Sequence, residues 1–380
     1  MANYTYTFHD ALTMATVGNA ELFDVTFNDP VEGVGALKGK VIVKTSNLDT
    51  VRACVDQEKT IIVVRADDQP VWAGLPSSWS WDSTSSTLDL AYTHVKSYIY
   101  NLFLRPNGVA SGNITDVTYS WSQIEQTIIA TQLMAYATGG PGAELTFQAA
   151  TALVTGVLRD LNVQGFDFKY AGDLIDTMSN RSKGFDWTIE PRNVDGLPVY
   201  LFARYWYPER KTDATNLYFE FDPAGGGNIL NFGNPAANIA DRRTRVWATG
   251  AGSPPDQAAS VDTDPMVLAN QRLLTEKSSS YSSVTNPLTL HDHAQAERLV
   301  LAEPFDQITL AVKPDNPATW AYGSGDRARI VIKDLWLDID VPSARIVDRS
   351  ISPFFRTHGE SMSITVDLSD LKLPDADAVS

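Results

Sequence analysis

The chain has 380 residues, of which 43% are apolar and 20% charged, with 46 acids against 30 bases for a formal charge of −16. That length holds two or three domains and a core that needs no disulfide or metal staple, and the composition excludes intrinsic disorder. The acidic balance excludes a phosphate-gripping basic surface, so no specific nucleic-acid binding is expected.

The single cysteine, Cys54, rules out an internal disulfide and a thiolate metal cage. In Thr50-Val51-Arg52-Ala53-Cys54-Val55 it reads as a small apolar filler. The opening Met1-Ala2-Asn3-Tyr4-Thr5 lacks the basic region and apolar run of a secretory leader. No stretch is long and apolar enough for a spanning helix. The expectation is a protein made in a cytoplasm that works in solution or within an assembly, without membrane insertion.

The first third predicts strands at Val41-Ile42-Val43, Ile61-Ile62-Val63-Val64-Arg65 and Val71-Trp72-Ala73-Gly74, with a hairpin turn at Ala66-Asp67-Asp68-Gln69-Pro70. Ser78-Trp79-Ser80-Trp81 and Leu88-Asp89-Leu90-Ala91-Tyr92 alternate about the polar Asp82–Ser86. Helix signals follow. Ser120-Trp121-Ser122-Gln123 fits a capping box, Ile129, Leu133 and Tyr136 recur at helical spacing, and Gly139-Gly140-Pro141-Gly142 ends the run. A second amphipathic helix is predicted over about Tyr170 to Lys183, with Ala171, Leu174, Ile175 and Met178 on one face and Gly184 as its stop.

Strands resume at Phe185–Glu190, Pro198–Tyr205 and Leu217–Phe221, with a turn near Asn193-Val194-Asp195-Gly196. Gly250–Asp256 has the composition of a boundary. Leu335, Leu337, Ile339 and Val341 alternate with polar or amphipathic residues, as do Met362, Ile364, Val366 and Leu368, and Gly323-Ser324-Gly325-Asp326 reads as a tight turn. Leu373–Ser380 reads as a solvated tail. The fold class expected is β-rich α+β: barrel-like antiparallel β modules at residues 1–115 and 251–380, flanking an α+β middle at 116–250.

Signals for chemistry are sparse. Gly225-Gly226-Gly227-Asn228 lacks both the P-loop Lys-Ser/Thr and the dinucleotide spacing, so it reads as a turn. No Gly-x-Ser-x-Gly or His-Glu-x-x-His occurs. The five histidines are His9, His94, His291, His293 and His358. His291-Asp292-His293 is the weak metal candidate, because two histidines two apart on a strand face the same way. Asp338 and Asp340 share the polar face of a strand and read as solvated charge. Asn113-Ile114-Thr115 matches a glycosylation triplet without a secretory context. The expectation is a protein with no catalytic residues and no cofactor.

Several segments, in order, carry a resemblance. They are Asp10-Ala11-Leu12-Thr13, Phe23–Asn28, Gly35–Val41, Val63-Val64-Arg65, Val71-Trp72-Ala73-Gly74, Leu174–Arg181, Gly184-Phe185-Asp186-Trp187-Thr188-Ile189-Glu190-Pro191, Asn216–Phe221, Gly227–Leu230 and Asp241–Gly250. As a set they resemble the minor tail proteins of long, non-contractile-tailed phages of actinobacteria, and so the hub domains of tail-associated proteins and, more distantly, the central hub of contractile tails. The most specific piece is the helix followed by a Gly-Phe-Asp-Trp strand.

The resemblance implies a structural baseplate hub at the tail tip of the virion, assembled in the host cytoplasm. It would be a homotrimeric ring of two-module chains that matches a sixfold tube to a threefold tip and opens for DNA ejection. The implied partners are the distal tail protein, the tape-measure protein and other minor tail proteins or fibres. Larger relatives carry a C-terminal hydrolase or receptor-binding domain; this chain ends soon after the second β module, so neither activity is expected. The alternatives are a receptor- or carbohydrate-binding tail module, using aromatics such as Trp79, Trp81 and Trp320, and a tail-associated cell-wall hydrolase.

Overall fold

The computed structural model describes residues 2–56, 59–104, 117–139, 147–149, 153–181, 183–194, 197–211, 216–233, 243–252, 256–269, 273–282, 284–301, 307–335, 337–353 and 359–367. The chain begins with β1 (Tyr4–Asp10), β2 (Thr16–Asn19), β3 (Phe23–Asn28), β4 (Ala36–Ile42), α1 (Leu48–Cys54), β5 (Thr60–Ala66), β6 (Gln69–Asp82), β7 (Thr87–His94) and a 3-10 helix (Val95–Asn101). It continues through β8 (Thr118–Glu125), α2 (Gln126–Thr138), β9 (Phe147–Ala149), β10 (Leu158–Gln164), α3 (Ala171–Ser179), β11 (Asp186–Val194), β12 (Leu197–Trp206), β13 (Leu217–Phe221) and β14 (Ile229–Phe232). Then come β15 (Arg245–Thr249), β16 (Ala259–Thr263), α4 (Pro265–Leu268), β17 (Glu276–Ser280), α5 (Pro287–Val300), β18 (Gln307–Val312), β19 (Arg327–Lys333), β20 (Asp338–Ser352) and β21 (Ser361–Asp367). The elements fall into two compact units, one of Met1–Asn231 with Leu310–Val366, the other taking in Phe232–Thr309.

The larger unit is built on a sheet ordered β14-β18-β21-β20-β3-β4-β7-β6-β5-β1-β2, with β19 and then β13 attached to β20. Strands from the two ends of the chain meet where β20 pairs with β3, Ser350 opposite Asn28 and Ile351 opposite Phe27. The period-2 patterns explain the burial: Met362, Ile364 and Val366 of β21 are buried while their neighbours are not. The β5–β6 hairpin turns through Asp67 and Asp68, at φ 48° and 64°. Two successive left-handed residues match the twist of the flanking strands, and aspartate is among the residues that tolerate that conformation. At the β6–β7 turn the Asp82 carboxylate accepts from the Thr84 amide (2.8 Å) and the Ser85 hydroxyl (2.6 Å), holding the polar stretch the sequence marked.

The middle of this unit is α+β. β8 pairs with β10, and β11 and β12 form a hairpin with β9 added in parallel. One core runs through it, from Ile61 and Val63 of β5 past Val95 and Ile99 to Ile129 and Leu133 of α2, Ile175 and Met178 of α3, and Trp187 and Ile189 of β11. In the smaller unit the sheet β16-β15-β17 packs Val246 and Ala248 against Leu290 and Ala294 of α5. Gly250–Gly252 follows β15 there, and β15 and β16 are antiparallel neighbours.

Several local expectations change. Val71–Gly74 and Ser78–Trp81 belong to one strand, β6, with a register shift between Pro76 and Ser78. Ser120–Gln123 is not a capping box but part of β8, because Trp121 is buried and the ladder to β10 competes with the helix. Gln123 sits at φ 53° with its amide donating to Asp160 Oδ1 (2.7 Å), and α2 starts only at Gln126. Gly139 ends α2 as expected, its amide donating to the Ala135 carbonyl (2.8 Å). α3 stops at Ser179, short of Lys183. His291 and His293 lie on α5, not on a strand. Leu335 is wholly exposed and β20 begins at Asp338. The readings at Asn113–Thr115, Gly140–Gly142, Asp195-Gly196, Asp241-Arg242, Trp336, His358, Leu368 and Leu373–Ser380 lie outside the described residues.

The Gly-Phe-Asp-Trp motif has a steric basis. A Cβ on Gly184 would stand 1.8 Å from the Ser179 carbonyl oxygen, at the tight passage from α3 into β11. The next residues, Phe185 and Trp187, are buried. Gly184→Ala is expected to destabilise the protein by about 2 kcal/mol or more, since no flexible side chain can give way; a thermal or urea melt within a few tenths of wild type would contradict this.

Candidate functional site

The residues singled out by sequence do not converge on a reaction centre. Cys54 is buried and free, and burial pushes its thiol pKa up, away from reactivity. The ring of His291 is 3.2 Å from the Val261 carbonyl oxygen through Nδ1, and that of His293 stacks on Tyr281 with centroids 4.4 Å apart. Two residues apart on a helix, they point in different directions. Among the described residues no group of three histidine, cysteine, aspartate or glutamate side chains could hold a metal ion. His9 is buried, with Nδ1 3.0 Å from the Met14 carbonyl and Nε2 2.9 Å from Thr7 Oγ1. Asp340 accepts a fork from Arg329 at 2.9 and 2.7 Å on the exposed face of β20.

Gly225–Gly227 is a turn. Gly225 sits at φ 86°, and the Asp222 carboxylate accepts from the amides of Ala224 and Gly226. Asn228 then staples β13 by donating to the Tyr218 carbonyl and accepting from the Glu220 amide, both at 2.8 Å. An open cleft of about 490 Å³ beside it is lined by Asn216, Tyr218, Glu220 and Pro317. Trp79 and Trp81 are exposed, but they sit opposite Leu90 and Leu88 and so share the apolar side of the sheet. Trp320 packs under the Arg349 guanidinium at 4.6 Å and against Tyr4.

The larger unit instead brings together an ionic seam that no local pattern announces. Arg210, just past β12, grips Asp29, just past β3, through Nη2–Oδ2 (2.5 Å) and Nη1–Oδ1 (3.3 Å). Arg349 of β20, buried nearby, donates to the carbonyls of Thr319 (2.9 Å) and Tyr322. Asp186 of β11 accepts from the Arg210 amide and from the guanidinium of Arg345. Glu209 accepts a two-pronged contact from Arg327 (3.1 and 3.3 Å), with Arg345 Nε at 3.7 Å. Beside this, Lys96 is buried with its ammonium 4.2 Å over the Trp187 ring, and Asp176 accepts from Trp187 Nε1 (2.8 Å) and Tyr100 Oη (2.7 Å).

Burial sets the electrostatics of the seam. It works to raise the Asp29 carboxyl, but Arg210 outweighs it and holds the group below its ordinary range. Burial pushes Asp348 up, and Lys96 and Arg349 down. His94, at the end of β7 and edge-on to Trp72, is pushed by burial down to about 4, against the pull of Asp29. What the arrangement can do is mechanical: it locks β3, β11, the β12 exit and β20 to one another.

No protein-family model matches the chain, and no curated protein matches it by sequence. Solved structures do. The 43 kDa tail protein of a prophage from Shewanella oneidensis aligns over 95% of this chain and 98% of its own, with a TM-score of 0.60 at 10% identity. A tail protein from Neisseria meningitidis aligns over 96% of both chains, with a TM-score of 0.59 at 11% identity. The chain has the fold of a phage tail protein. A prophage tail protein from Listeria monocytogenes aligns over 96% of this chain and 94% of its own, with a TM-score of 0.53 at 12% identity. At these identities the likeness is one of the tail-protein fold.

Two outcomes are expected. Arg210→Ala should cost about 1–3 kcal/mol of stability, because it leaves the half-buried Asp29 carboxylate without its guanidinium partner; a loss under about 0.5 kcal/mol would show the pair to be replaceable. His94 has a folded pKa depressed to about 4 from 6.5, so between those values the unfolded chain binds the extra proton. Stability therefore falls as pH drops from 6.5 toward 4, by at most about 1.4 kcal/mol per pH unit from this group. The raised Asp348 acts in the opposite sense at the acid end of that window. Denaturant titrations at several pH values should show His94→Gln flattening the slope relative to wild type; an unchanged slope would refute the assignment.

Proposed function

We propose that the chain is a structural, non-enzymatic hub of a phage tail tip. The observation that carries this reading is the fold likeness along nearly the whole chain to phage tail proteins of similar extent. In this reading three copies form a ring that closes the tail tube. Each chain supplies two β modules, at residues 1–115 and 251–380, so that three chains offer six faces to a sixfold tube.

The ring binds the distal tail protein, the tape-measure protein and other minor tail proteins or fibres, and it opens for DNA exit. The ionic seam suits this role, because it ties β3, β11, the β12 exit and β20 to one another. The charge of −16 suits a passage for DNA, since like charge discourages sticking. The long non-contractile tail and the actinobacterial host rest on the ordered sequence resemblance alone.

The test is stoichiometry and position. Purified protein is expected at three times the 41.6 kDa chain mass by light scattering, and three copies are expected at the tail tip of intact particles. A monomer that is absent from particles, or clearing of host peptidoglycan by the purified protein, would reverse the reading. A bore lined by lysines and arginines would remove the charge argument.

A further inference from the structure

The smaller unit carries a second kind of surface. Among the described residues its sheet packs on α5 through one face: Val246 and Ala248 of β15 point toward α5, so Arg245, Trp247 and Thr249 face the other way. On that open face Trp247 is central. It lies opposite Val261 of β16 on one side and Ser278 of β17 on the other, with Arg245 between Thr263 and Glu276.

The face is pinned in place. Trp247 Nε1 donates to Glu276 Oε1 (3.1 Å), Arg245 Nη1 donates to the same oxygen (3.2 Å), and Arg245 Nε donates to Thr263 Oγ1 (2.9 Å). An indole that is 41% exposed is thereby fixed in orientation before any ligand arrives. Thr249, Thr263 and Ser278 lie on the same face of the sheet, the Thr249 hydroxyl donating to the Ser279 carbonyl at 3.4 Å.

From this we infer that the open face of β15, flanked by β16 and β17, is a binding platform for an uncharged hexopyranose chain, with Trp247 as the stacking surface. Three observations select that ligand class. The centre is a flat aromatic with an apolar body and a tethered polar edge, which suits the C–H face of a sugar ring. The rim offers hydroxyls and a guanidinium–carboxylate pair, donors and acceptors that match sugar hydroxyls. The charges of Arg245 and Glu276 cancel, so within a chain of −16 this patch is locally neutral and favours a neutral ligand.

Size points the same way. Three strands by five residues measure roughly 10 by 13 Å between outermost Cα positions. That is well short of the ~800 Å² a side of a stable protein interface. It is enough for a few linked rings.

The experiment uses the full chain and two uncharged probes, cellohexaose and maltohexaose, followed by calorimetry and by saturation-transfer NMR. Saturable binding of at least one probe is expected, weakened about tenfold or more in Trp247→Ala and less in Trp247→Phe. Ser278→Arg, which lays a long side chain over the indole without altering it, should weaken binding as well. Trp79→Ala should leave binding unchanged.

The idea is overturned if neither probe binds wild type, if Trp247→Ala binds as well as wild type while remaining folded, or if Trp247→Ala instead abolishes self-association. Incorporation of the Trp247→Ala chain into particles is read separately. It should be normal, so loss of sugar binding with normal assembly leaves the hub reading intact, and failure of assembly in wild type strikes only that reading.

Discussion

The larger unit depends on whether half-buried guanidinium and carboxylate groups find one another across long stretches of chain. Arg210 reaches a carboxylate 181 residues earlier, and Arg345 one 159 residues earlier. Neither pair forms until the strands that carry them are docked in register. Such pairs add little net stability relative to apolar packing of the same shape, because both partners lose their hydration. Their effect is on selection: a misaligned docking leaves a charge buried and unpaired, which costs several kcal/mol. The seam therefore penalises near-miss arrangements of a fold whose strands otherwise look alike.

The aromatic residues around the seam serve the same end. Trp72 donates from Nε1 to the Asn28 carbonyl (3.0 Å), and Asn28 in turn donates to Asp348. Trp187 holds Asp176 on its edge and faces Lys96 with its ring. Large rings fill the space between sheet and helices, and the indole edges of Trp72 and Trp187 complete hydrogen bonds there.

Much of the secondary structure was legible where it depended on neighbours in sequence. Leu217–Phe221 and Met362–Val366 alternate and are strands; Ile129 and Leu133 repeat at helical spacing and are buried on α2. Ser120–Gln123 misled because a capping box and a strand of alternating Ser and Trp look the same until β10, 40 residues on, supplies a ladder. The histidine pair misled for a related reason: short polar runs carry no periodicity to tell strand from helix. The seam was illegible in principle. Asp29, Lys96, Arg210, Arg345 and Arg349 sit in unremarkable contexts, and only the topology brings them together. Trp247 was visible as part of a strand, but its exposure follows from which side of that strand α5 covers.

The smaller unit leaves and rejoins the chain at neighbouring positions of one ladder. β14 and β18 are adjacent strands, and the Gly233 amide donates to the Thr309 carbonyl at 2.7 Å. A closed hairpin would satisfy the same ladder, so the 75 intervening residues can lengthen, shrink or be exchanged while the surrounding strands keep their hydrogen bonds. Such a junction lets the segment between β14 and β18 vary in sequence and length while the strands on either side keep their pairing.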